Sequence, residues 1–179
     1  MDDLESDTNT PLKAIQRIAR SEDRLLAIQF FLFFSRFEYA LKRLNKIRPS
    51  RNSNLLSADW DGYARDRKQE PAWLEAQEDQ KFKEASAFLD AKPPRQQSFS
   101  DGSLKWVANS HAVGLPSLSR ALFYVRTVRN NLFHGSKFDS ARGTEASRDR
   151  ELLTHCITIL SVCLDCDKDL NVEFLEGLD

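Results

Sequence analysis

Apolar residues recur at helical spacing along almost the whole chain, and this periodicity constrains the fold more than any other feature of the sequence. Glycine is scarce, with six residues, and runs of β-branched residues are nearly absent. A chain of 179 residues is long enough for one domain with its own hydrophobic core. We therefore predict an all-α fold, built as a single domain over residues 1–179.

Prolines, glycines and polar stretches divide this pattern into separate helices. The chain between the two longest apolar patterns, at about 50–112, is predicted to be an inserted section, and it contains a polar loop at 92–102. The expected helices lie at about 11–20, 22–47, 57–66, 71–91, 103–111, 115–134 and 145–170.

The net charge of −1 gives the chain no overall signature of nucleic-acid binding, so an anionic ligand would need a local basic patch. Two basic stretches are present. Residues 42–54 carry five basic side chains and no acid, and residues 115–143 carry five against Asp139 alone. Each stretch is either an ordinary solvated face or one side of a binding site.

The N-terminus, "MDDLESDTNTP", is acidic and polar, unlike a secretory leader. The most apolar stretch, Leu25 to Phe34, has about half the length that is needed to cross a bilayer. We therefore expect a cytoplasmic protein without a membrane-spanning segment.

The sequence offers no motif for a metal or a cofactor. Cys163 and Cys166 form one C-x-x-C inside a helical pattern, without the second pair of ligands that a closed zinc site needs, so reduced core thiols are expected. Glycine-rich phosphate loops, H-E-x-x-H and G-x-S-x-G are also absent from the sequence. We predict neither a bound metal nor a cofactor.

The stretch "RTVRNNLFHGSKF", residues 126–138, places polar groups at the end of an apolar helix. Arg129 falls within the apolar stripe of this helix, where a guanidinium is costly unless it is paired or faces a ligand or partner. The alternative is that its head group reaches the surface from the stripe. The stripe consists of Leu118, Ala121, Leu122, Val125, Val128 and Leu132.

Arg129 to His134 has the form R-N-x-x-x-H, or R-x4-H more loosely. This motif resembles that of the HEPN superfamily, helical domains named for higher eukaryotes and prokaryotes nucleotide-binding, many of which are metal-independent endoribonucleases. The resemblance covers about residues 20–47 and 115–170. The chain departs from it in the long section at 50–112. Ser136 stands where toxins controlled by a nucleotidyltransferase antitoxin have tyrosine.

The resemblance implies RNA cleavage by attack of the 2′-hydroxyl on the neighbouring phosphate, which leaves 2′,3′-cyclic phosphate and 5′-hydroxyl ends. His134 would act as general acid or base, and Arg129 would hold the phosphate. Asn130 would orient one of these two side chains or the substrate. Arg126 and Lys137 would bind flanking phosphates.

One histidine serves as only one of acid and base at a time, so the resemblance implies a homodimer in which two motifs share a composite active site. The first half of the helix at 22–47 is apolar nearly all round, which fits either a subunit interface or deep burial. Glu38 is a supporting candidate that either pairs with Arg129 or with Lys42. The family also implies toxin or anti-phage defence and an antitoxin or regulatory partner.

Two other functions remain open. A non-catalytic HEPN-like module would bind RNA, a nucleotide or a protein, and a purely structural helical dimer would use Arg129 only for stability. His111 and His155 are expected to have no catalytic role. The aromatic residues of the middle section either stack on bases or, as is more usual at helical spacing, fill the core. They are Trp60, Tyr63, Trp73, Phe82 and Phe88.

Overall fold

The computed structural model describes residues 23–49, 56–133 and 143–178. The described chain is mostly helical, with two small antiparallel sheets and a short 3-10 turn at Ser110–Ala112. The helices are α1 (Asp23–Arg43), α2 (Trp60–Arg67), α3 (Pro71–Ala76), α4 (Gln80–Ala91), α5 (Ser117–Phe133), α6 (Gly143–Cys166) and α7 (Lys168–Leu175). The strands are β1 (Ile47–Pro49), β2 (Leu56–Ala58), β3 (Gln96–Ser100) and β4 (Ser103–Val107).

Helix α6 lies at the centre of the bundle and packs against α1, α4 and α5. The predicted stripe of α5 faces this core, and most of its residues are buried. The section that we predicted to be an insertion also contributes to the core, because Trp60, Tyr63, Trp73 and Phe82 are buried there. This burial confirms the core interpretation of these four residues, and Phe88 packs against the core while partly buried.

Helix α1 has two different apolar faces. Phe30, Phe34 and Phe37 point into the bundle and are buried. On the other side, Leu25 is 65% exposed and Leu32 is 59% exposed. The all-round apolar pattern of this helix therefore reflects core burial on one face and an open apolar surface on the other.

The strictly all-α prediction is wrong at residues 96–107, where β3 and β4 form a hairpin in place of a loop and a helical piece. Asp101 and Gly102 connect the strands, and both have positive φ, 54° and 72°. A two-residue Asp-Gly turn of this kind matches the twist of paired strands, so it favours a hairpin. This signal outweighs the helical spacing of the short segment that follows.

Several helix boundaries also differ from the predictions. Helix α1 ends at Arg43, four residues early, because Asn45 takes a positive φ and the chain turns into β1, which pairs with β2. The final helix is broken at Asp167, whose carboxylate accepts from the backbone N–H of Leu170 and caps α7. Asp79 caps α4 in the same way and splits the second predicted middle helix. The helix expected at 11–20 lies outside the described residues.

The cysteines are core thiols, as predicted. Cys156 and Cys163 are buried, Cys166 is half-buried, and none of the three forms a disulfide bond. Burial raises the pKa of Cys163 far above its usual value and, with the negative charges of Asp165 and Asp167 beside it, raises the pKa of Cys166 to about 11. Within the described part of the chain, no group of histidine, cysteine and acidic residues is arranged to hold a metal ion. None of the described helices combines the length and apolar character that crossing a membrane demands.

Candidate functional site

A cleft of about 230 Å³ opens where α1, α5 and the β1–β2 ladder meet the start of α2. Four residues singled out in the sequence meet there, namely Glu38, Arg126, Arg129 and Asn130. The middle section contributes others that sequence reasoning did not assign to a site. The complete lining is Phe34, Glu38, Arg48, Ser57, Ala58, Trp60, Arg126, Arg129 and Asn130.

An aromatic stack forms the floor of the cleft. The Trp60 indole lies parallel to the ring of Phe37, with 5.1 Å between centroids, and stacks on Phe34 at 5.0 Å. Its Nε1 donates a hydrogen bond to Glu38 Oε1 over 3.2 Å. This bond fixes Glu38 at the cleft, while its predicted pairing with Arg129 remains a prediction.

Arg129 leaves the apolar stripe of α5 and reaches the cleft across this floor. Its guanidinium carbon lies 5.5 Å from the centroid of the Phe34 ring, within range of a cation–π interaction. Its Nη1 donates to Asn130 Oδ1 over 3.2 Å. The half-buried side chain therefore keeps its aliphatic part in the core and its charge at the cleft wall.

Two further guanidinium groups stand at the cleft and share an aspartate. Arg126 Nη2 donates to Asp61 Oδ1 over 2.7 Å, and Arg48 Nη2 lies 3.2 Å from Asp61 Oδ2. Arg48 also donates to Asp59 Oδ1 over 2.8 Å, and this bond and the charge of Asp59 raise the pKa of Arg48 above its usual value. Asp59 is the cap of α2, since its side chain accepts from the N–H of Gly62.

The basic stretches are therefore partly neutralised by acids from other elements. Besides the cleft contacts, Lys46 pairs with Asp66 at 2.7 Å, and Arg120 makes a two-pronged contact with Asp90 at 2.7 and 2.9 Å. These pairs lie outside the cleft lining. The solvated-face interpretation holds for them, while Arg48 and Arg126 belong to the cleft.

The two remaining candidate residues, His134 and Lys137, lie outside the described residues. The other histidines do not line the cleft. His155 packs on the ring of Phe88 at 4.4 Å, and burial there lowers its pKa below the usual value. His111 is exposed in the 3-10 turn.

The lining that the structure describes is equipped to bind an anion. Three guanidinium groups face a single lining carboxylate, Glu38, and Asn130 adds an amide. Arg126 Nε is buried and, within the described chain, has no hydrogen-bond acceptor. The described lining holds no histidine or cysteine, and Glu38 is its one carboxylate.

Sequence reasoning did not place Arg48 or Trp60 at this site, nor Asp61, which contacts two of its arginines from outside the lining. Arg48 carried one signal, its place in the acid-free stretch 42–54. Asp61 carried none, because its contact with Arg126 spans 65 residues of chain. No protein-family model matches the chain, and neither a curated protein nor a solved structure matches it.

Proposed function

We propose that this protein is a HEPN-like helical bundle that acts as a metal-independent endoribonuclease. The observation that carries the proposal is the cleft, which gathers Arg126, Arg129 and Asn130 of the R-x4-H region together with Arg48. A phosphodiester is a strong candidate ligand for such a group, because guanidinium groups bind phosphate oxygens in pairs. Cleavage additionally needs the imidazole of His134.

In the proposed reaction the 2′-hydroxyl oxygen attacks the adjacent phosphorus, and the P–O5′ bond breaks. The proton of the 2′-hydroxyl passes to a base, and the departing 5′ oxygen receives a proton from an acid. Arg129 would stabilise the extra negative charge of the five-coordinate phosphorus, since it is always charged and is held in place over Phe34. Asn130 would keep the Arg129 head group oriented through their hydrogen bond. Arg126 and Lys137 would hold the flanking phosphates.

A homodimer with a composite active site completes the proposal, because each chain carries one histidine in the motif. The exposed face of α1 supports this assembly. Leu25, Ile28 and Leu32 are exposed at spacings of three and four residues, which is the pattern of a helix that packs against a second helix. An apolar groove of about 750 Å³ between α1, α6 and α7 extends this surface. A second copy of the chain, with the same face, is its proposed occupant.

The biological setting follows from the family resemblance. We propose a cytoplasmic toxin or anti-phage defence protein, whose cleavage of RNA is restrained by an antitoxin or another regulatory partner. Ser136 in the position of a modified tyrosine argues against control by tyrosine modification.

A second function, RNA or nucleotide binding without cleavage, is favoured by one observation. The described lining combines the three arginines and Asn130, which can bind an anion, and none of its described residues is a histidine. A binding module would need the arginines and the asparagine, and it would not need His134. The two functions therefore differ in the effect of one substitution.

The test is cleavage of a mixed RNA pool in EDTA by the wild type, by His134→Ala and by His111→Ala. Loss of a general acid or base costs about 100-fold to 10,000-fold in rate, so His134→Ala should abolish cleavage while the exposed His111→Ala cuts like the wild type. The products should carry 2′,3′-cyclic phosphate and 5′-hydroxyl ends. Light scattering should give the mass of a dimer for all three proteins.

Cleavage that survives in His134→Ala would contradict the assigned mechanism. Binding of RNA by a folded wild-type dimer that cuts nothing would favour the binding module.

A further inference from the structure

Asp61 connects two of the cleft arginines through separate oxygen atoms. Oδ1 lies 2.7 Å from Arg126 Nη2, and Oδ2 lies 3.2 Å from Arg48 Nη2. A phosphodiester presents two non-bridging oxygens to a pair of guanidinium groups in a similar way. The carboxylate therefore makes the contacts that a substrate phosphate would be expected to make with the same two side chains.

The neighbouring Asp59 shows why Asp61 is the exchangeable carboxylate of the pair. Asp59 accepts a hydrogen bond from the backbone N–H of Gly62 as the cap of α2. Its contact with Arg48, at 2.8 Å, is shorter than that of Asp61, at 3.2 Å. The contacts that the structure gives for Asp61 are the two arginines. Replacing Asp61 by an outside anion would therefore leave the cap of α2 intact.

The contacts of Asp61 are also accessible to solvent. Its side chain is 49% exposed and that of Arg48 is 57% exposed, while that of Arg126 is 28% exposed, and Asp61 itself stands outside the cleft lining. Ion pairs with an exposed partner of this kind contribute little to stability. The arrangement also leaves Arg126 Nε without an acceptor in the described chain, so the guanidinium is not fully satisfied by Asp61.

We propose that Asp61 is an internal competitor of the substrate: it bridges Arg48 and Arg126 in the empty cleft and yields both to an RNA phosphodiester. This inference rests on the proposed function, because it assumes RNA as the ligand. It adds Arg48 to the substrate-binding residues and gives the middle section of the chain a regulatory role at the cleft. Binding is then weaker than free Arg48 and Arg126 would allow, since Asp61 occupies both of them in part of the population.

The test measures binding of a 2′-O-methyl oligoribonucleotide, which lacks the attacking hydroxyl, to the full-length protein by fluorescence anisotropy at several salt concentrations. Asp61→Asn should bind about fivefold more tightly than the wild type. Asp101→Asn is the matched control, since it removes one exposed carboxylate at the β3–β4 turn, where its partner is Lys105. It should bind like the wild type.

Arg48→Ala should weaken binding and lower the slope of log K against log salt by about 0.7, as expected for one lost phosphate contact to a single strand. Circular dichroism would show that the variants keep their helices. Equal or weaker binding by Asp61→Asn, compared with Asp101→Asn, would overturn the proposal and would make Asp61 a group that orients the arginines for the ligand.

Failure of this proposal is separable from failure of the nuclease. Tighter binding by Asp61→Asn together with no cleavage of ordinary RNA supports the competitor role and rejects the enzyme. Normal cleavage by the wild type with unchanged affinity in Asp61→Asn supports the enzyme and rejects the competitor role. Absence of RNA binding by both the wild type and Asp61→Asn overturns the inference.

Discussion

The two ends of helix α2 hold charged side chains in opposite ways. At its start, Asp61 contacts Arg48 and Arg126 in an exposed cluster at the cleft. At its end, Arg67 Nε lies 2.9 Å from Asp167 Oδ2, and the Asp167 side chain is only 6% exposed. Both clusters use arginine and aspartate, so the difference between them comes from burial and from the other contacts of each group.

The contacts of the buried cluster hold parts of the fold together. Asp167 caps α7, and Arg67 also contacts Glu70 at 2.9 Å and lies over the ring of Tyr63. The Arg67–Asp167 contact is an ion pair that lacks the alignment of a hydrogen bond. At the other end, the contacts that the structure gives for Asp61 are the two arginines, so an outside anion can replace it. The two clusters therefore differ mainly in their aspartates, since the Asp167 side chain is 6% exposed and that of Asp61 is 49% exposed.

The largest expected effect is on stability at the buried end. Asp167→Ala removes the cap of α7 and leaves Arg67 without its buried partner, so it should lower the free energy of unfolding by about 2–4 kcal/mol. Asp61→Ala makes the same chemical change in the exposed cluster and should cost at most about 1 kcal/mol. Urea unfolding of both variants and the wild type measures the difference.

Asp167→Asn is the intermediate variant, because an amide still caps α7 while the charge is lost. It should fall between Asp167→Ala and the wild type. If Asp61→Ala and Asp167→Ala lowered the free energy of unfolding equally, the comparison would fail, and the cleft ion pairs would also stabilise the fold.

The second expected effect is on RNA binding. Here the substitution at the start of α2 should have the larger effect, and the one at its end the smaller. Arg126→Ala removes a guanidinium at the open end, so affinity for RNA should fall by about fivefold to tenfold and the salt dependence should weaken. Arg67→Ala removes one at the buried end and should lower the unfolding midpoint instead. Its salt dependence of binding should equal that of the wild type. If both variants changed RNA affinity and stability to the same extent, the division of α2 into a binding end and a structural end would be contradicted.

The features that depend on residues close together in the sequence were predicted from the sequence. The stripe of α5 repeats every three to four residues and is buried as expected, and Pro71 begins α3 at its first position. The position of Arg129 within that stripe indicated that its charge needed a special environment, and the structure gives it a place in the cleft wall over Phe34.

The remaining features depend on contacts between distant parts of the chain. Trp60 reaches Glu38 across 22 residues, and Asp61 reaches Arg126 across 65, so no helical spacing could indicate either contact. The β3–β4 hairpin is different, because its Asp101-Gly102 turn was visible in the sequence. There, the turn chemistry determines the structure, and the helical spacing of the short segment that follows does not.

The smallest expected effect is on thiol reactivity at the buried end. With a pKa of about 11, roughly one Cys166 thiol in a thousand is ionised at pH 8, so alkylation by iodoacetamide should be slow and should keep accelerating as the pH rises above 9. Cys156 and Cys163 are buried and should stay unlabelled while the protein is folded.

Asp167→Asn should increase the rate of Cys166 alkylation at pH 8 by about twofold to fivefold. The sign follows from charge: Asp167 disfavours the thiolate, so its removal lowers the pKa of Cys166 and raises the ionised fraction. Asp61→Asn, at the open end, is the matched control and should leave the rate unchanged. Mass spectrometry locates the label. An increase in Asp61→Asn as large as that in Asp167→Asn would mean that both ends of α2 loosen together, and the separation between a structural end and a binding end would not hold.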